Sequence, residues 1–196
     1  MSKQELLGVY KEQSAQLTQA LQKMDDFHMQ VYEVAVQLRE AFDAGNKVLI
    51  AGNGGSAAEA QHFSDEFVGR YKADRPTYPV TALTADGAVL TCIGNDYGYE
   101  QVFARQVEAL GNEGDVFIGL STSGNSPNIL AAAQKARDKG MTVVGLTAGK
   151  GKLRELADYL IDPPTEFNPR AQELHLHAIH LLCEAFEPDN VGKLTL

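Results

Sequence analysis

Four short apolar runs, each closed by glycine or a polar turn and separated by a helical pattern, constrain this chain most. They are "KVLIAG" (47–52), "PVTAL" (79–83), the start of "GDVFIGLSTSGNS" (114–126) and "MTVVGLT" (141–147). Continuous apolar runs of this length suit strands buried on both faces, as in parallel sheets. Between them the periodicity predicts helices over 56–71, 98–110 and 127–140. The last of these has Pro127 in its first turn and Gly140 at its end, the asymmetry that opens and closes helices. Ahead of the first strand, Val31, Val34, Ala35, Leu38, Ala41 and Phe42 recur at helical spacing within 27–44, and Gly45 stops them. Another helix is expected over 3–24, a short fifth strand in "ADYLIDP" (157–163) and a last helix over 169–186. "DGAVLTCIGND" (86–96) reads as a short helix followed by a loop, and the tail after Pro188 as frayed. Strands alternating with helices imply an α/β fold, a parallel sheet with helices on both faces. No linker or repeat divides the chain, so the expectation is one domain over 1–196, with residues 1–25 as a helical extension. That extension has a leucine face (Leu6, Leu7, Leu17, Leu21), which fits packing on its own domain or on another subunit.

Composition narrows the function classes. With 196 residues the chain has enough core to fold without staples. The net charge of −9 argues against nucleic acid as a partner, yet local N–H groups and hydroxyls can hold a phosphate at any total charge. No apolar run approaches a membrane span, and the start has no signal-peptide core. The two cysteines, Cys92 and Cys183, lie in apolar runs, so both are expected as buried free thiols. A cytoplasmic protein is expected.

Ligands of open parallel sheets bind beyond the carboxyl ends of the strands. Two loops are placed there. Gly52-Asn53-Gly54-Gly55-Ser56 matches a dinucleotide fingerprint through Gly52, Gly54 and Ala57, but the acidic residue that reading needs is misplaced, because Asp86 lies too far along. No G-K-[ST] follows the glycines, so it is not a P-loop either. The second loop, "STSGNS", crowds the hydroxyls of Ser121, Thr122, Ser123 and Ser126 before a helix N-terminus. Neutral donors, backbone N–H groups and a favourable dipole suit a phosphate. A helix cap at Ser126 or Asn125 would account for one residue, not for four hydroxyls.

On the helix after the first loop, His62 and Glu66 share a face about 6 Å apart. That spacing serves two ligands of one metal, a base beside its partner, or an ordinary surface pair. The last helix adds Gln172, His175, His177 and His180 in "QELHLHAIH". Gln172 and His180 are separated by about 12 Å along the axis, and helical geometry alone does not choose among the histidines.

Taken in order, "AGNGGSAAEAQHFSDEF", "IGNDYGY", "GDVFIGLSTSGNSPNIL" and "AQELHLHAIH" resemble a sugar-isomerase (SIS) domain, and more closely the phosphoheptose isomerases, from about residue 30 to 186. "STSGNS" is shared widely among SIS proteins; His62 with Glu66, Gln172 and His180 is the specific part. The resemblance implies a three-layer αβα sandwich with a five-stranded parallel sheet, and a homotetramer with sites at subunit contacts. It implies conversion of sedoheptulose 7-phosphate to D-glycero-D-manno-heptose 7-phosphate, toward the heptose of lipopolysaccharide or related surface glycans. Ser121, Thr122, Ser123 and Ser126 would hold the phosphate. Asn53, Gly54, Gly55, Asn95 and Asp96 would line the sugar, together with Glu66 and Gln172. His62, Glu66, Gln172 and His180 would match the family's ligands for one zinc per subunit. Pro169 departs from the family, which often carries a small residue or Asp there, and the turn before "GKLREL" is short.

The reaction moves a proton between C1 and C2 of the opened sugar through an enediol, which needs a base and an acid. Glu66 is assigned as base and His180 as its acid/base partner. Zinc would polarise the carbonyl oxygen, although a carboxylate bound to it is a poorer base. The rivals are an isomerase of another phosphosugar and a non-catalytic SIS regulator of the same fold. Retention of both Glu66 and His180 argues against the regulator.

Overall fold

The computed structural model describes residues 1–195. Two helices open the chain, α1 (Lys3–Leu21) and α2 (Asp25–Asp43). The order continues β1 (Val48–Ala51), α3 (Gly55–Val68), β2 (Val80–Ala82), α4 (Gly87–Tyr97), a 3-10 turn (Tyr99–Gln101), α5 (Ala104–Leu110), β3 (Val116–Leu120) and α6 (Pro127–Asp138). It ends with β4 (Thr142–Leu146), α7 (Leu153–Leu156), β5 (Tyr159–Ile161), α8 (Asn168–Ala185) and α9 (Pro188–Val191). The five strands pair in the order β2-β1-β3-β4-β5, all parallel. This is the expected αβα architecture, with a five-stranded sheet between two helical layers.

The two-residue period of the strands explains the two layers. Val48, Ile50, Val116, Ile118, Val144 and Leu146 face a core completed by α2, α3 and α8, including Phe27, Leu38, Phe63, Phe67, Leu182 and Phe186. Their neighbours Leu49, Ala51, Phe117 and Val143 face the opposite core with Phe103, Val107, Ile129 and Leu153. Each strand is therefore apolar throughout, which gives the unbroken runs in the sequence. After β1 the chain turns outward to β2, then returns to place β3 on the other side of β1. The carboxyl ends of β1 and β3 consequently flank a topological switch point, where an open α/β sheet leaves a crevice. The glycine loop and the serine loop leave these two strands.

Four expectations are corrected. Residues 86–96 are not a short helix and a loop: α4 runs through Asn95 and Asp96 to Tyr97. The Asp86 side chain starts it by accepting hydrogen bonds from the N–H groups of Ala88 and Val89. The expected helix over 98–110 is a 3-10 turn followed by α5. The tail after Pro188 forms α9 and is tied to α2, with Arg39 donating to the Val191 carbonyl at 2.6 Å and Tyr32 to that of Thr195 at 2.5 Å; Leu196 lies outside the described residues. Cys183 is a buried free thiol as expected, but Cys92 is exposed, because of the α4 residues only Ile93 is turned into the core. Among the described residues, no helix is long and apolar enough to cross a membrane.

Candidate active site

The serine loop is pre-shaped. Ser121 Oγ lies 3.0 Å from Ser126 Oγ and 3.4 Å from Ser123 Oγ, so three hydroxyls converge, while Thr122 is half-buried on the same loop. Ser126 is the N-cap residue of α6, but its side chain makes no cap hydrogen bond. Asn125 does not cap either: its amide bonds the Ser123 carbonyl and the Lys152 N–H. The start of α6 is thus without a cap from either side chain, and helix starts of this kind suit anions. The turn before α7 braces the loop from behind. A Cβ on Gly124 (φ +63°) would collide with the Lys150 carbonyl, and one on Gly151 (φ +91°) with that of Ser123.

In the glycine loop, Gly55 has a use that sequence did not suggest. Its missing side chain is replaced by the Gln172 amide; a Cβ there would strike Nε2 and lie 2.8 Å from Cδ. Gln172 therefore reaches from α8 to the first residue of α3. Pro169 fits beside it, in the first turn of α8, where a missing N–H has no consequence.

Two turns along both helices, α3 and α8 bring His62, Glu66 and His180 together. One ligand atom from each lies within 4.8 Å of the others. His62 Nε2 is 3.0 Å from His180 Nε2 and 3.5 Å from Glu66 Oε1. Two imidazole nitrogens and a carboxylate oxygen form a donor set that fits a divalent cation such as zinc. Asp65 supports the set from outside, with Oδ1 3.3 Å from His62 Nδ1. Such a carboxylate fixes which ring nitrogen faces inward. The Tyr71 ring packs 5.7 Å from that of His180.

The structure also chooses among the histidines. His175 is fully buried, with Nε2 2.8 Å from the Thr147 carbonyl oxygen. Burial pushes its pKa down to about 4, so it is neutral and serves packing. His177 stacks on Phe27, 2° from parallel; burial and the nearby His28 and His180 lower its pKa. Only His180 joins the cluster.

Other candidates stand apart or were missed. Asn95 and Asp96 sit exposed at the end of α4, bonded to each other at 2.7 Å. Asn53 is paired with Asn128, which sequence reading passed over. Glu59, one turn before His62, is buried with Oε2 unpartnered. Burial pushes its carboxyl up to about 7, against a lowering hydrogen bond from Ser56.

Comparison with known proteins identifies the family. Residues 9–148 match the SIS domain family model. The phosphoheptose isomerase of Burkholderia pseudomallei (strain K96243) is 58% identical over 150 residues, which cover 76% of each chain. The chain belongs to the SIS domain family, among its phosphoheptose isomerases. It is accordingly an isomerase by family. The solved family member from Francisella tularensis superposes with a TM-score of 0.86 at 36% identity, covering 94% of this chain and 97% of that one. The one from Neisseria gonorrhoeae gives 0.81 at 38% identity, covering 94% and 98%. Both likenesses span nearly all of each chain, more than the residues of the family match.

Proposed function

We propose that this isomerase converts sedoheptulose 7-phosphate to D-glycero-D-manno-heptose 7-phosphate, as a cytoplasmic homotetramer of one-domain subunits that supplies heptose for lipopolysaccharide or a related surface glycan. The observation that carries the reading is the meeting of His62, Glu66 and His180 on α3 and α8, with α3 starting from the glycine loop that the Asn53–Asn128 pair ties to the α6 end of the serine loop. Gly55 and His62 are seven residues apart on α3, about 10 Å of rise. That reach suits an extended seven-carbon phosphosugar with its phosphate at one end and its reacting carbons at the other. Its relatives, which are phosphoheptose isomerases, support the same substrate class.

In this reading Ser121, Thr122, Ser123 and Ser126 hold the phosphate. Asn53, Gly54, Gly55, Asn95, Asp96 and Gln172 line the sugar. Glu66 takes a proton from C1 of the opened ketose while His180 gives one to O2, leaving an enediol. Glu66 then returns a proton to C2 and His180 removes that on O1, which yields the aldose. One base and one acid on the same side of the substrate suffice for both half-steps. His62, Glu66 and His180 would hold zinc, which would supply Lewis-acid polarisation of the carbonyl oxygen; Gln172, expected as a fourth ligand, instead lies against Gly55, two turns before His62, and is placed beside the sugar. The test is incubation of the zinc-loaded protein with sedoheptulose 7-phosphate and product identification by NMR. Appearance of the aldose phosphate supports the reading; an unchanged ketose phosphate contradicts it.

A further inference from the structure

The glycine loop and the serine loop are joined by one buried contact. Asn128, the second residue of α6, is 2% exposed and faces Asn53 of the glycine loop. Asn53 Nδ2 donates to Asn128 Oδ1 at 2.9 Å, and Asn128 Nδ2 donates to Asn53 Oδ1 at 2.9 Å. This closed amide pair spans 75 residues of sequence and sits at the switch point between β1 and β3. The Tyr99 hydroxyl, from the 3-10 turn, donates to the same Asn53 oxygen at 3.0 Å. Asn53 Oδ1 therefore carries two donors, and one Nδ2–H is all the amide has left to offer.

We infer that Asn128 is a positioning residue for the isomerisation: it fixes the rotamer and amide orientation of Asn53, so that Asn53 meets the sugar only as a hydrogen-bond donor. The inference rests on the proposal that Asn53 lines the sugar. The pairing has a physical purpose that helix packing does not require. A buried asparagine at the second position of a helix needs partners, and backbone groups commonly supply them. Here both partners come from one side chain of the other loop, so rotating either amide breaks two hydrogen bonds and leaves buried polar atoms unpaired. The donor is thereby set before substrate arrives, and the spacing between the sugar loop and the start of the phosphate helix is fixed with it.

A double-mutant cycle with Asn53→Ala and Asn128→Ala tests this, using kcat/KM for sedoheptulose 7-phosphate together with its Kd, so that binding can be followed independently of turnover. Each single replacement is expected to weaken both quantities by about tenfold, the effect of one lost hydrogen bond at about 1.4 kcal/mol. The double variant should also lose about tenfold, because Asn128 has nothing to position once Asn53 is gone. Asn128→Asp keeps the shape but sets two oxygens against each other, and it should lose at least as much as the alanine. A loss near a hundredfold in the double variant would overturn the inference and leave the substrate reading standing. A neutral Asn53→Ala would instead overturn the placement of Asn53 against the sugar, and the inference with it. If Asn128→Ala does not fold, Asn128→Asp carries the cycle; an Asn128→Asp protein that folds with unchanged kcat/KM and Kd also refutes it.

Discussion

Gly55→Ala separates the fold from the chemistry. The new Cβ would sit 2.8 Å from Gln172 Cδ and closer still to Nε2, whereas unstrained carbon contacts are about 3.5–4.0 Å. The Gln172 amide must therefore retreat by roughly 1 Å. It is the far end of a flexible side chain, so it can yield without disturbing α8. Gly55 begins α3 without a positive φ, and alanine is favoured over glycine in a helix by up to about 1 kcal/mol. Stability should hold or rise, by a few degrees in Tm at most. A group misplaced by about 1 Å in an active site costs on the order of 10²-fold in rate, so kcat/KM should fall about that much. The assay pairs isomerase kinetics with thermal unfolding and with zinc affinity by chelator competition, which should hold because Gln172 lies two turns from the His62, Glu66 and His180 cluster. A folded Gly55→Ala protein with wild-type kinetics would refute the role of Gln172 beside the sugar.

Other consequences follow from the same geometry. Glu59 binds its proton up to about pH 7 in the folded chain and to its ordinary 4.5 when unfolded, so folding stability should fall as pH rises from 4.5 to 7 and level off outside that window. Glu59→Gln lacks the slope and should gain roughly 1–2 kcal/mol over wild type in urea unfolding at pH 8, with little difference at pH 4; parallel pH profiles would contradict this. Ser126→Ala removes a phosphate donor remote from the reacting carbons, so KM should rise about tenfold with kcat nearly unchanged; a fall in kcat alone would be inconsistent. Phe67 is fully buried against Phe63, Phe42, Tyr78 and Phe186, and Phe67→Ala should cost about 3–5 kcal/mol in urea unfolding.

Local chemistry made much of this legible in the sequence. Strands buried on both faces must be apolar throughout, and the glycines that end them stand at the turns. His62 and Glu66 announce a shared face because a helix places them there, and "STSGNS" announces hydroxyls that converge at a helix start. Contacts made across the fold were less visible. Nothing in "SPNIL" marks Asn128, whose partner lies on another loop. Gly55 read as room for sugar because the side chain that fills it comes from α8. His175, His177 and His180 are equivalent until the sheet and α2 claim the first two. The course of α4 rests on Asp86, which caps it, while the glycine and β-branched residues of "DGAVLTCIGND" are weak helix formers by themselves.

The central claim is that Glu66 carries the proton between C1 and C2. It is tested most directly by following sedoheptulose 7-phosphate by NMR with wild type and Glu66→Gln, each zinc-loaded and each shown to bind the phosphosugar. The account predicts aldose formation by the wild type and its loss, by three orders of magnitude or about that, in a Glu66→Gln protein that still binds. Turnover by Glu66→Gln near the wild-type rate would contradict it.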